Sequence, residues 1–227
     1  MNAPRTLGLF GITLGGLLSI GAQAAAITYN VSEISSSTEI LGGNTGLIAA
    51  YNFKSSLVST DLTLNLADDA VVFNSIYPGG SNGGFSTANL GGGADVNAFM
   101  NSSQFSSFSI NLTGLTAGDE YRLQILGFAG NFVHYTNVNV DGQTYTNWAV
   151  DSSSSLTTAD MLTATWTQDA GESSVLIQFS NNPQISGLVL HSVTAENTAN
   201  ATVPVPAGYA LLLGGLAVLR LRKRGDT

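Results

Sequence analysis

The sequence predicts an all-β protein folded as an antiparallel β-sandwich. Three observations predict it. Apolar and polar residues alternate in many short runs, the mark of half-buried strands. Turn residues separate those runs at even spacing, which fits a sandwich and not a βαβ fold. Ser, Thr, Asn and Gly abound while only 10% of the 227 residues are charged, the balance of a β-rich extracellular protein with polar loops.

The runs are taken in order. Ile27, Tyr29 and Val31 oppose Thr28, Asn30 and Ser32, and Glu33 to Gly46 reads as loop. Leu47 to Phe53 reads as an inner strand. Asp61 to Leu66 alternates, with Leu62, Leu64 and Leu66 on one face, and Val71 to Phe73 is a short apolar strand. Pro78 to Gly93 reads as a glycine-rich surface loop. It lacks the Gly-Lys-Ser/Thr of a phosphate loop. Ala94 to Asn101 is compatible with one or two helical turns, with Asp95 favoured in the first turn.

The clearest block runs from Gln104 to Val193. Phe108, Ile110 and Leu112 alternate with Ser107, Ser109 and Asn111. Gly114 to Glu120 is a turn, and Tyr121 to Phe128 is the next strand. Asn137 to Val140 leads into Asp141-Gly142, a tight-hairpin signal, and Thr144 to Trp148 returns. A serine-rich loop spans Asp151 to Asp160. Leu162 to Thr167, Ser173 to Phe179 and Ile185 to Val193 complete the strands.

Two apolar ends flank this domain. Residues 1–26 carry Arg5, an apolar run from Leu7 to Ile20, and small residues at Ala22 and Ala24. That pattern predicts a secretory signal helix, cut after Ala24 or Ala26, with a retained N-terminal anchor as the alternative. The expected domain is 27–194, followed by a polar linker at 195–202 and a tail at 203–227. The tail joins Val203-Pro204-Val205-Pro206-Ala207-Gly208 to an uncharged run ending at Leu219, then to Arg220, Arg222, Lys223 and Arg224. A helix over 207–219 would be roughly 20 Å long, short against a bilayer core of about 30 Å. Prolines suit its first turn, and the basic end favours the cytoplasmic side. The expectation is a C-terminal transmembrane helix.

The order of motif, apolar helix and basic end resembles the PEP-CTERM family of bacterial sorting tails, in its Val-Pro-x-Pro-Ala form. Val205 stands where the family has Glu. The resemblance implies sorting by an exosortase-type enzyme, transient membrane anchoring, and export to the cell surface or extracellular matrix of a polysaccharide-making bacterium.

A second resemblance lies in the β block. Ile110-Asn111-Leu112-Thr113-Gly114-Leu115 with Gly118, Tyr121 and Leu123 is similar to a hairpin of galactose-binding-domain-like and malectin-like jelly rolls. Val138-Asn139-Val140-Asp141-Gly142 and Ile185 to Leu190 are similar to a second hairpin and the closing strand of those folds. Leu47 to Phe53 is similar to an early strand of tail-sorted proteins with this jelly roll. Such domains often carry a structural calcium; Asp68, Asp69 and Asp95 are the candidate ligands, although no Asp-x-Asp-x-Asp-Gly loop is present.

Charge narrows the partners. Residues 27–202 hold Lys54 and Arg122 against fourteen acids, a net charge near −12. That argues against nucleic acid and anionic lipid, both of which need a positive surface. There is no cysteine for a disulfide or thiolate chemistry. His134 and His191 stand far apart in sequence, without a Gly-x-Ser-x-Gly elbow, and give no case for zinc or for Ser-His-Asp catalysis.

Sugar binding calls for aromatic faces beside amides and hydroxyls. Phe132, Tyr135, Tyr145 and Trp148 cluster around the Asp141-Gly142 hairpin with Asn131, Asn137 and Asn147 beside them. The reading is therefore a non-enzymatic, exported matrix protein that binds extracellular polysaccharide. A structural or adhesive matrix protein without a sugar site is the alternative, and an extracellular hydrolase acting through a carboxylate pair such as Asp68-Asp69 is a third reading.

Overall fold

The computed structural model describes residues 26–40, 46–53, 60–67, 69–79, 82–84, 88–91, 93–130, 132–151 and 156–193. The signal segment up to Ala25, the linker, the tail, Asp68 and Asn131 lie outside these residues. Among the described residues no helix is long and apolar enough to cross a membrane; the expected helix over 207–219 is not among them.

The chain is all-β, built from two sheets. Its strands are β1 (Thr28–Ile34), β2 (Leu47–Phe53), β3 (Leu62–Asn65), β4 (Ala70–Ile76), β5 (Asn82–Gly84), β6 (Ser102–Gln104) and β7 (Phe108–Thr113). They continue with β8 (Glu120–Gly127), β9 (Val133–Val140), β10 (Gln143–Asp151), β11 (Ala159–Thr167), β12 (Ser174–Ser180) and β13 (Ile185–Ser192). Helix α1 spans Ala94–Asn101, and a 3-10 turn covers Ser37–Glu39.

The larger sheet runs β1-β11-β8-β13-β2-β4-β3, with β6 joined to β13 and β5 joined to β6. The smaller runs β10-β9-β12-β7. Pairing is antiparallel except between β2 and β4, which lie parallel, so the sheet is not antiparallel throughout as the sequence suggests. The expected strands are present, with differences in extent. β4 runs Ala70–Ile76 where the sequence predicts Val71 to Phe73, and β11 begins at Ala159, inside the expected serine-rich loop. β1 extends through Ile34, and a capping box closes the 3-10 turn beyond it. β9 begins at Val133 rather than Asn137. β6 is an additional short strand. The glycine-rich segment contributes β5, paired with β6, and Gly91 bridges to Ser36.

Two turns show why the sequence folds this way. Gly114 and Gly118 both take positive φ, and the Tyr121 hydroxyl accepts the Thr116 N–H at 2.6 Å. Asp141 and Gly142 also take positive φ (46° and 82°), the geometry a two-residue hairpin demands.

The first core lies between the sheets. Leu123, Ile125, Leu162, Ala164, Leu188 and Leu190 of the larger sheet meet Leu112, Val138, Val140, Val150, Ile177 and Phe179 of the smaller. A second core covers the opposite face of the larger sheet. There Leu64, Val71, Phe73, Val96, Phe99 and Met100 pack on Leu126, Met161 and Val189. The β3–β4 hairpin and α1 thus form a third layer. Phe99 sits so close to Gly187 that a Cβ there would meet its ring at 2.5 Å and also strike the Tyr51 carbonyl. All eight residues of β13 are buried, as expected of a strand covered on both faces.

Candidate functional site

Among the described residues the smaller sheet is covered on one face only. Along β9, Thr136, Val138 and Val140 are buried, while Tyr135, Asn137 and Asn139 point the other way. Along β12, Val175, Ile177 and Phe179 are buried, and Leu176, Gln178 and Ser180 are exposed. β7 repeats the alternation, with Ser109 exposed between Phe108 and the half-buried Ile110.

The register aligns the outward residues. Thr144 faces Asn139, Asn139 faces Gln178, and Gln178 faces Ser109. These four side chains form a row across all four strands, about 14 Å long at strand spacings of about 4.8 Å. Asn137 and Ser180 form a second row beside it. Both rows line a shallow open depression together with Ser107.

Part of this surface is preset. Asn139 Nδ2 donates to Thr144 Oγ1 at 2.7 Å, and Asn139 Oδ1 accepts the Gly142 N–H at 3.0 Å. Asn137 Oδ1 accepts the Asn147 N–H at 2.9 Å. An amide has two donor hydrogens and two acceptor lone pairs, so both asparagines keep hydrogen-bonding capacity toward solvent. The face can therefore donate and accept without presenting a charge.

Of the aromatic residues picked out by sequence, two are open. Phe132, just ahead of β9, is 63% exposed and Tyr135, within it, is 53% exposed, with Val133 and His134 between them. Tyr145 is half-buried on the inner side. Its ring lies 5.4 Å from that of Tyr29, whose hydroxyl donates to the Gln143 carbonyl at 2.8 Å. Burial pushes the Tyr29 pKa up to about 12.

Trp148 corrects the expectation. It is 1% exposed and belongs to the inter-sheet core, so its ring offers no face to a ligand. The cause is a bulge in β10 between Tyr145 and Trp148. Asn147 takes φ 56° there, a conformation asparagine tolerates. The extra residue shifts the phase, and side chains three apart both turn inward. Asn147 itself is exposed at the bulge, beside the Asn137 row.

His134 lies at the edge of this region, where Asn182 Nδ2 donates to its Nδ1 at 2.8 Å. Desolvation holds its pKa below the ordinary 6.5. His191 is buried in β13 on the other sheet, so the two histidines belong to different surroundings.

The candidate calcium ligands are not brought together among the described residues. Asp69 Oδ1 accepts the Ala70 N–H at 2.7 Å. Asp95 lies in the first turn of α1, by a small depression that includes Thr63 and Asn65. A different acidic group does converge: the carboxylates of Asp141, Asp169 and Glu172 come within 4.8 Å of one another. Asp141 is on the β9–β10 turn, and the other two are on the β11–β12 turn. They stand at turn tips, outside the depression lined by Asn139 and Gln178.

Gln178, Ser180 and Ser109 escaped the sequence reading. Their alternation with apolar residues marks them as outward-facing, but only the strand order β9-β12-β7 brings them beside Asn137 and Asn139. No protein-family model matches the chain, and no curated protein matches it.

Proposed function

We propose that the chain is an exported, non-enzymatic bacterial surface or matrix protein whose sandwich binds carbohydrate on the open face of the smaller sheet. The observation that carries this reading is an exposed ring, Tyr135, followed along one face by amides and hydroxyls at Asn137, Asn139, Gln178 and Thr144. A flat apolar ring suits the C–H face of a sugar, and amides match its hydroxyls. The resemblance to galactose-binding-domain-like and malectin-like jelly rolls supports the same reading.

Sorting rests on the tail. Val203 to Gly208, the apolar run to Leu219 and the basic end at Arg220 to Arg224 resemble a PEP-CTERM signal. An exosortase-type enzyme would act there and place the domain at the surface or in the matrix.

The test is retention of the purified chain on polysaccharide from an exopolysaccharide-producing bacterium. Tyr135→Ala and Gln178→Ala should each weaken binding about tenfold, roughly 1.4 kcal/mol, with unfolding midpoints unchanged. If the parent chain shows no retention, the reading is wrong and a structural or adhesive matrix role without a sugar site stands instead.

A further inference from the structure

The open face and its border differ sharply in charge. The face itself carries a phenol, amides and hydroxyls together with the exposed Val133 and Leu176. Among the described residues the single Lys or Arg is Arg122, and it lies in β8 of the other sheet, in register with Thr165 and His191. Nothing described on the open face can therefore neutralise an anionic ligand.

The border adds repulsion. Asp141 continues β9 two residues beyond Asn139, about 7 Å along the strand, and its N–H bonds the Leu176 carbonyl at 3.0 Å. Leu176 in turn is two residues from Gln178. Asp169 and Glu172 precede β12 and bring their carboxylates to within 4.8 Å of that of Asp141. Three acids thus flank one side of the row formed by Thr144, Asn139, Gln178 and Ser109, beyond Asn139 and Gln178 along their strands. That separation is comparable with the Debye length of about 8 Å at physiological salt, so their field reaches a ligand on the face. The wider charge has the same sign, near −12 over residues 27–202.

We infer, resting on the carbohydrate reading above, that the open face selects uncharged polysaccharide and turns away uronic-acid, sulfated or phosphorylated chains. Hydrogen bonding to neutral hydroxyls needs no counter-charge, whereas an anionic chain would lose hydration against amides and face like charge at the border.

The experiment is affinity electrophoresis of the full chain through gels carrying neutral glucan, mannan or galactan. Each polymer is paired with the carboxymethylated form of the same backbone. The expected result is retardation by at least one neutral polymer, with at least tenfold weaker retardation by its carboxymethylated partner. The gap should narrow at high salt, and it should narrow in the combined variant Asp141→Asn, Asp169→Asn, Glu172→Gln with neutral binding unchanged. Equal or stronger retardation by the carboxymethylated polymer would overturn the selectivity and leave sugar binding in place. A gap unmoved by both salt and the triple variant would overturn the electrostatic basis. No retardation by any polymer would overturn the carbohydrate reading and this inference with it.

Discussion

The two sheets of this protein treat their outer faces differently. The larger is covered on both sides, by the smaller sheet on one and by α1 with the β3–β4 hairpin on the other. Among the described residues the smaller is covered on one side and bare on the other. The strands record the difference. β13 is buried at every position, while β12 alternates strictly between buried and outward-facing residues. A layer that needs burial recruits further chain to cover it. A layer whose outer residues are mostly amides and hydroxyls needs no cover, and its surface can stay open to solvent.

The largest expected break in this comparison sets one aromatic against another across β9 and β10. Trp148→Ala empties the inter-sheet core and should cost about 3–5 kcal/mol in denaturant unfolding. Tyr135→Ala, on the bare face, should stay within about 0.5 kcal/mol. Equal losses would mean that Tyr135 also packs into the fold.

The next effect tests the doubly covered sheet. Gly187→Ala pushes a methyl into the Tyr51 carbonyl and the Phe99 ring. The carbonyl belongs to the neighbouring strand and cannot yield cheaply, so the expected loss is about 1–3 kcal/mol. Ser180→Ala on the bare sheet should be close to neutral in the same assay. A silent Gly187→Ala would show that α1 is not held tightly against β13.

The smallest effects concern pH. His134 has its pKa lowered, chiefly by desolvation, so the folded chain resists protonation more than the unfolded chain does. Its contribution is complete above pH 6.5 and declines as pH falls through the lower folded value. His134→Asn should flatten the stability profile below pH 6.5. Glu39 behaves alike at lower pH. Its carboxylate accepts from Ser35 Oγ, Ser35 N–H and Ser36 N–H at 2.7, 2.9 and 3.0 Å, which holds its pKa below 4.5. That contribution is present above pH 4.5 and is lost as pH falls through the folded value, which acid titration of Glu39→Gln against the parent chain would show.

Much of the fold was legible in local pattern. Alternation located β3, β7 and β12, and Asp141-Gly142 located the hairpin. Coverage of the larger sheet was not legible, because it depends on contacts far apart in sequence. Ser186 of β13 lies buried under that cover, where its hydroxyl donates to the Met100 carbonyl of α1 at 3.0 Å. The site was half legible. Phe132 and Tyr135 stood out as aromatic residues near a hairpin, and both are exposed. Trp148 and Tyr145 stood out equally and face inward, because a one-residue bulge changes phase without leaving a distinct sequence mark. Gln178 and Ser109 joined the site only through strand order.

The most direct test of the central claim is amide chemical-shift mapping of the isotope-labelled chain, titrated with soluble oligosaccharides of a polymer that retains it. The account predicts saturable shifts at Tyr135, Asn137, Asn139, Gln178 and Ser109, with Val189 and Leu126 in the covered layer unmoved. Saturable shifts confined to the covered layer, or none on the open face, would contradict it.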